Sequence, residues 1–179
     1  MRENVITVVR KTRGLPSFLL FCFAGILLTS CGIYKFRDAT IPPDVKTVKV
    51  GYILNQARYI NPQLSQKFTD KILQKITGQT KLTRTNSDDA HYVINGTITV
   101  YDPSQTVGVS AQQASTNRLT VTLHMTLKKT LENKTDEFYV SRSFDYSANL
   151  SLQQAEGQLL DEVVRSLTDD IFNRIFSNW

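Results

Sequence analysis

The sequence predicts an α+β domain in which two helices pack on one face of a four-stranded, largely antiparallel sheet. Four segments alternate apolar and polar residues, which is the period of a strand that buries one face and leaves the other wet. Two longer segments repeat apolar residues at helical spacing. The elements follow one another as β-α-β-β-β-α, an order that two helices on one side of a sheet satisfy.

The four predicted strands cover residues 45–53, 92–100, 118–129 and 138–146. In the fourth strand Arg142 interrupts the apolar face. The third strand has the most regular pattern, and its apolar residues all fall on one face: Leu119, Val121, Leu123, Met125 and Leu127.

Both predicted helices carry start signals. Asn61 and Pro62 are typical of an N-cap and a first helical position, and Gly78 is a plausible C-cap. Ser151 and Gln154 have the spacing of a capping box at the start of the second helix. The apolar stripes are Leu64, Phe68, Ile72 and Ile76 in the first helix, and Leu152, Leu159, Val163, Leu167, Ile171 and Ile175 in the second.

Two connections have distinct compositions. Residues 102–117 are small and polar, which is typical of a long mobile loop of the kind that often carries function. Asn133 and Lys134 indicate a tight turn between the last two strands.

The first 30 residues are organised as a secretory signal. Residues 15–28 are an almost unbroken apolar run, which is shorter than the ~20 residues that a membrane-spanning helix needs. A basic region precedes this run: Arg2, Arg10, Lys11 and Arg13.

The signal ends in Leu28, Thr29, Ser30 and Cys31, which resembles the lipobox of bacterial lipoproteins. The Cys31 thiol can take a diacylglyceryl group as a thioether, and cleavage frees its amine for a further acyl chain. Several acyl chains anchor a protein durably, whereas one chain holds it only marginally. An ordinary signal with a nearby cysteine, or an uncleaved anchor, is the alternative.

These features predict three parts of the chain. Residues 1–30 are a cleaved lipoprotein signal peptide, residues 31–44 are the lipidated cysteine and an extended tether, and residues 45–179 are one α+β domain. Two adjacent prolines, Pro42 and Pro43, disfavour helix in the tether. The expected covalent group is the N-acyl diacylglyceryl lipid on Cys31, and no other cofactor is expected.

The net charge argues against a nucleic-acid partner. Residues 1–30 carry a net +3 of the +5 of the whole chain, which leaves +2 for the mature protein. A nucleic-acid-binding domain would show a stronger basic character. Gly32 follows the cysteine, with neither an aspartate nor an acidic run, and by resemblance to known lipoprotein sorting rules this predicts the periplasmic face of the outer membrane.

No pattern in the sequence indicates catalysis. His91 and His124 lie on predicted strands without Cys or Glu at metal-ligand spacing, so each is interpreted as a satisfied or solvent-facing histidine. Neither a nucleophile-elbow motif nor a glycine-rich phosphate loop is present. We therefore expect a binding or structural protein with no catalytic residues and no metal site.

From Cys31 to Trp179 the chain resembles the Bacteroidota branch of the lipopolysaccharide-assembly outer-membrane lipoproteins, which are LptE-like. The resemblance depends on the order and spacing of several short segments and not on one strong motif. These segments are CGIYKF (31–36), IPP (41–43), KT (46–47), NP (61–62), QTKL (79–82), NRLT (117–120), DIFN (170–173) and the terminal tryptophan.

The resemblance implies a non-catalytic lipoprotein of Gram-negative bacteria that partners and plugs the lipopolysaccharide-translocon β-barrel. Such proteins aid assembly of the barrel and insertion of lipopolysaccharide at the cell surface. The runner-up is a periplasmic lipoprotein that acts as a scaffold or pilot for another envelope machine, such as a secretin or a cell-wall synthase.

Cations near the strand ends are candidates for contacting lipopolysaccharide phosphates. The candidates are Arg118, Lys128 and Lys129, which flank the third predicted strand, and Arg142 on its neighbour. The alternative interpretation is that these charges keep the edges of the sheet soluble.

Overall fold

The computed structural model describes residues 41–107 and 116–177. Cys31 and the predicted signal peptide lie outside the described residues. The elements, in chain order, are β1 (Thr47–Val50), β2 (Leu54–Asn55), α1 (Leu64–Gln79), β3 (Thr83–Arg84), β4 (Tyr92–Val107), β5 (Thr116–Lys129), β6 (Lys134–Ser147) and α2 (Leu152–Phe176).

Within the described residues the sheet is mixed and has six strands, with the order β3-β1-β4-β5-β6 and with β2 pairing with β4. β4, β5 and β6 are antiparallel neighbours, whereas β1 and β2 pair with β4 in parallel and β3 pairs with β1 in parallel. The predicted α+β class with two helices is confirmed. The prediction of four largely antiparallel strands is wrong in strand number and in the direction of one half of the sheet.

The parallel half has a simple physical origin. β1 and β4 are neighbours, and the chain between them passes through α1. A crossover through a helix joins parallel strands, whereas a tight hairpin joins antiparallel strands. β2 and β3 were missed because each has only two residues, too few to show an alternating pattern.

The first predicted strand, 45–53, is interrupted at Gly51. The Gly51 N–H donates to the Ile94 carbonyl at 2.8 Å, and a side chain at Gly51 would collide with the Asn95 carboxamide. Beyond this point the alternation changes, because Ile53 is fully buried whereas Tyr52 is 55% exposed. The close contact at Gly51 is thus with a side chain of the neighbouring strand β4.

The core lies between the helices and one face of the sheet. α1 contacts β1, β2 and β3, and α2 contacts β5 and β6. The predicted apolar face of the third strand is confirmed, because all of its members are buried: Leu119, Val121, Leu123, Met125 and Leu127. The predicted stripe of the first helix is also fully buried: Leu64, Phe68, Ile72 and Ile76.

The ends of α1 differ from the prediction. The helix begins at Leu64 instead of Pro62, and the Asn61 Oδ1 accepts a hydrogen bond from the Gln63 N–H at 2.9 Å in the turn before it. Gly78 lies inside the helix, and Thr80 is the C-cap. The predicted capping box at the start of α2 is confirmed.

The central strands are longer than predicted. β4 continues to Val107 and β5 begins at Thr116, so strand occupies both ends of the region expected to be a loop, 102–117. Residues 108–115 lie outside the described residues. The predicted turn before β6 is confirmed: Asn133 has a φ of 49°, in the left-handed region that asparagine tolerates.

We predict that Gly96→Ala destabilises the domain by roughly 1–3 kcal/mol, because the added methyl group overpacks the core. It would lie 2.5 Å from the Met125 Sδ and 2.8 Å from the Ile53 Cδ1. Gly78→Ala is the control, since no atom lies within 4 Å of its added methyl group. In the helix this change should stabilise by up to about 1 kcal/mol. Urea unfolding measures both variants, and equal stability of the two would contradict the packing described.

Candidate functional site at the cationic end of the sheet

The register of β5 divides the four candidate cations between the two faces of the sheet. Side chains alternate along a strand, and the buried face of β5 carries Leu119 and its odd-numbered successors. Arg118 and Lys128 therefore lie on the outer face, away from the helices. Lys129 and Arg142 lie on the helix-bearing face, since Arg142 pairs with Val121.

Arg118 and Lys128 are also far apart on the outer face. They lie near opposite ends of β5, and strand rise separates them by roughly 33 Å. The structure therefore does not bring the four predicted contacts together as one site.

Arg142 contacts α2. Its guanidinium donates to both oxygens of Asp170, at 2.5 Å and 2.7 Å. This hydrogen bonding, followed by the negative charge of Asp170, raises the pKa of Arg142. The cation that interrupts the apolar face of β6 thus ties the sheet to the second helix.

Arg118 is engaged on the outer face. Its guanidinium donates to both oxygens of Asp145, directly opposite on β6, at 2.6 Å and 2.9 Å. The hydrogen bond from Arg118 is the main cause that lowers the pKa of the Asp145 carboxyl. A bidentate pair between neighbouring strands fixes both side chains along the ladder.

Lys129 shares a carboxylate with Lys134. The Asp136 oxygens lie 2.9 Å from the Lys129 Nζ and 3.0 Å from the Lys134 Nζ. Hydrogen bonds from Lys129 and then Lys134 lower the pKa of Asp136. The two ammonium groups are thereby partly neutralised at the hairpin end of the sheet.

Lys128 is exposed, and within the described parts of the chain it forms no ion pair. The registers place it in one row with Val93 on β4 and Lys49 on β1. The Lys49 Nζ lies 2.5 Å from Asp88. The hydrogen bond from Lys49 is the main cause that lowers the pKa of Asp88, and the charge of Lys128 adds to it.

We call Lys49 and Lys128 the outer cationic pair. The two lysines lie on one face, separated by the width of one strand. Lysine acts towards phosphate as a mobile point charge. Lys128 is available to an anion in this way, whereas Lys49, like Arg118 and Arg142, already binds a carboxylate, that of Asp88. Sequence reasoning found Lys128 but missed Lys49, because the row depends on the parallel pairing of β1 with β4.

The rest of the outer face is polar but carries few free charges. Hydroxyl pairs bridge β5 and β6, namely Thr120 with Ser143 at 2.9 Å and Thr122 with Ser141 at 2.8 Å.

The expected solvent-facing or satisfied state of the histidines is confirmed. The His124 ring stacks on Tyr139 at 4.6 Å. The Nδ1 of His91, elsewhere, accepts a hydrogen bond from the backbone N–H of Lys46.

A cleft of about 420 Å³ lies near the start of both helices and includes Tyr59 and Glu156 in its lining. The Tyr101 hydroxyl donates to the buried Glu156 Oε1 at 2.6 Å, and burial raises the pKa of Tyr101.

Within the described residues no group of three or more His, Cys, Asp or Glu side chains is placed to hold a metal ion.

Residues 45–175 match the LptE family, which is described as lipopolysaccharide-assembly. The chain belongs to this family. The resemblance noted in the sequence is thus confirmed, and the match covers every described strand and almost all of α2. LptE proteins are envelope lipoproteins of lipopolysaccharide assembly and are not enzymes. No curated protein matches the chain.

Solved structures show where else this fold occurs. A minor lipoprotein from Acinetobacter baumannii is 15% identical, with 73% of this chain and 92% of that chain covered and a TM-score of 0.50. A homolog of neuraminyllactose-binding hemagglutinin from Helicobacter pylori is 10% identical, with 81% and 90% covered and a TM-score of 0.54. At these identities the likeness shows the fold alone.

No helix in the described part of the chain has the length and apolar character to cross a membrane.

Proposed function

We propose that this protein is a lipid-anchored subunit of the lipopolysaccharide translocon, on the periplasmic face of the outer membrane. It partners and plugs the translocon β-barrel, aids the assembly of that barrel, and contacts lipopolysaccharide on its way to the cell surface. The observation that carries the proposal is the family match across the folded domain, residues 45–175.

The domain suits a binding role in a larger assembly. One face of its sheet is buried under the helices, whereas the outer face presents hydroxyl groups, an exposed Tyr139 and the outer cationic pair. Such a surface can contact a protein wall and an anionic ligand without chemistry of its own. Membership in the LptE family favours lipopolysaccharide assembly over the pilot or scaffold role for another machine.

The first test of this function is capture of the partner. Affinity-tagged protein, extracted in mild detergent from its native membrane, should co-purify with one outer-membrane β-barrel and with lipopolysaccharide. Depletion of the protein should lower the amount of folded barrel and raise permeability to large hydrophobic antibiotics. Capture of a secretin or a cell-wall synthase, with an unchanged barrel after depletion, would decide for the scaffold alternative.

We further propose that Cys31 is the lipid anchor. Cys31→Ala should leave an unlipidated precursor that no longer sediments with outer membranes, because a thiol is required for the thioether. Cys22→Ala is the matched control, since Cys22 lies in the apolar run that cleavage removes. Mass spectrometry of the wild-type N-terminus should find acyl chains on Cys31, and an unmodified Cys31 would refute the anchor.

Lipopolysaccharide is polyanionic, and we propose that the outer cationic pair meets its phosphates. The double variant Lys49→Glu, Lys128→Glu should weaken lipopolysaccharide binding at least ~tenfold, since each charge-assisted hydrogen bond contributes roughly 1.5–3 kcal/mol. Arg118 should matter less than Lys128, because Asp145 already binds its guanidinium group through both oxygens, and Arg142 lies on the other face of the sheet.

The control reverses the same amount of charge elsewhere, in the variant Arg58→Glu, Lys71→Glu, on the loop after β2 and on α1. Binding is measured with immobilised protein and purified lipopolysaccharide, alongside thermal unfolding. Equal weakening by the pair and by its control would mean that net charge alone attracts the ligand, and that the outer cationic pair is not a site.

A further inference from the structure

β6 has a long free edge. It pairs with β5 along all 14 of its residues without a register shift, and no described residue pairs with its other side. It contains neither proline nor glycine. Exposed, regular edge strands are templates for pairing with another chain, and proteins usually protect them with bulges, prolines or free charges.

Most charges on β6 do not protect this edge, because partners on the same sheet or on α2 bind them. Asp136 binds Lys129 and Lys134, Arg142 binds Asp170, and Asp145 binds Arg118. Glu137 lies 3.3 Å from the His124 Nε2. Over residues 138–144 the edge therefore presents backbone donors and acceptors, and the one charged side chain of this stretch, Arg142, is bound to Asp170.

The two faces beside the edge specify what an added strand would carry. On the outer face the hydroxyl pairs end at Ser141 and Ser143, next to Tyr139, which is 66% exposed. On the helix-bearing face Val140 and Phe144 are buried. A strand that continues the sheet would alternate small polar or aromatic residues on one side with apolar residues on the other.

A second copy of this chain suits the edge less well. A twofold axis would pair two β6 strands antiparallel, with same-face residues opposite each other. One register would place Asp136 of one copy opposite Arg142 of the other copy. It gains no new ion pair, because both side chains are already bound within their own copy. The register centred on Val140 opposes Asp136 to Phe144 and Arg142 to Phe138, and so gains no ion pair either. Two other nearby registers oppose Lys134 to Arg142 or Glu137 to Asp145, and like charges directly opposite are destabilising.

We propose that an extended, uncharged segment of the partner barrel protein adds to the outer edge of β6, over residues 138–144, as a further strand of the sheet. This inference rests on the proposed function, which supplies the partner. Main-chain hydrogen bonds would give the affinity, and the alternation of the two faces would select the segment.

A photocrosslinking amino acid tests the contact in the native membrane. Replacing Tyr139 with a benzoyl-phenylalanine should give a crosslink to the barrel protein. The same replacement of Tyr52 is the control, because Tyr52 is a similarly exposed tyrosine, 55%, beside the other half of the sheet. A crosslink from Tyr52 but not from Tyr139 would overturn the proposal, as would a Tyr139 crosslink to a second copy of this chain.

Charged side chains on the edge test its energetic role. Ser141→Lys, Ser143→Lys, and the same pair changed to Glu, should each lower the amount of co-purified barrel at least ~tenfold, because an added strand would have to desolvate a charge of either sign. The control is the double variant Thr83→Lys, Asn86→Lys at the opposite edge of the sheet. It should leave the amount of co-purified barrel within twofold of that captured by the wild-type protein. Thermal unfolding confirms that each variant is folded.

The outcomes separate this inference from the proposed function. Wild-type capture of the barrel with undiminished capture by both Ser141, Ser143 variants would overturn the edge contact and leave the function standing. Failure of the wild-type protein to capture any barrel would overturn the function and the edge contact with it.

Discussion

The alternation of β5 is the constraint on which the rest of the structure depends. Its odd-numbered side chains from 119 to 127 are buried, and burying one such side chain contributes roughly 1.5–3 kcal/mol. A slip of one residue would turn this whole face to solvent and bring threonines and His124 into the core. The registers with β4 and β6 are thereby fixed, and with them the face on which each charged side chain lies.

The sequence predicts those parts of the fold that local patterns specify. The buried face of β5, the stripe of α1, the capping box of α2 and the turn at Asn133 all follow from residues close together in the chain. The parallel half of the sheet does not, because β2 and β3 are too short to show a period. Its direction depends on α1 lying between β1 and β4. The first predicted strand, 45–53, is interrupted at Gly51, where the chain contacts Asn95 on β4. No local sequence pattern reveals that contact.

The candidate site was predictable only as a set of residue types. Four cations were selected because they lie near strand ends, yet three of them are bound to carboxylates on β6 or α2: Arg118 to Asp145, Lys129 to Asp136, and Arg142 to Asp170. Such exposed pairs contribute little to stability, because water and salt screen them. Their consequence is electrostatic, because they remove free charge from the outer face and from the edge of β6. Of the four candidates, only Lys128 forms no ion pair among the described residues.

The outer face and the β6 edge of the sheet differ in whether their hydrogen-bonding groups have partners within the domain. Across the face, the Thr120–Ser143 and Thr122–Ser141 hydroxyl groups satisfy one another, so the face can meet water or a protein wall equally well. The edge has no such internal partner, because its outward backbone groups bond only to water or to another strand. Removal of water would leave those groups unsatisfied, at a cost of roughly 1–3 kcal/mol each. An interface that excludes water from this edge must therefore pair its backbone groups, and over residues 138–144 the one charged side chain, Arg142, is already bound to Asp170.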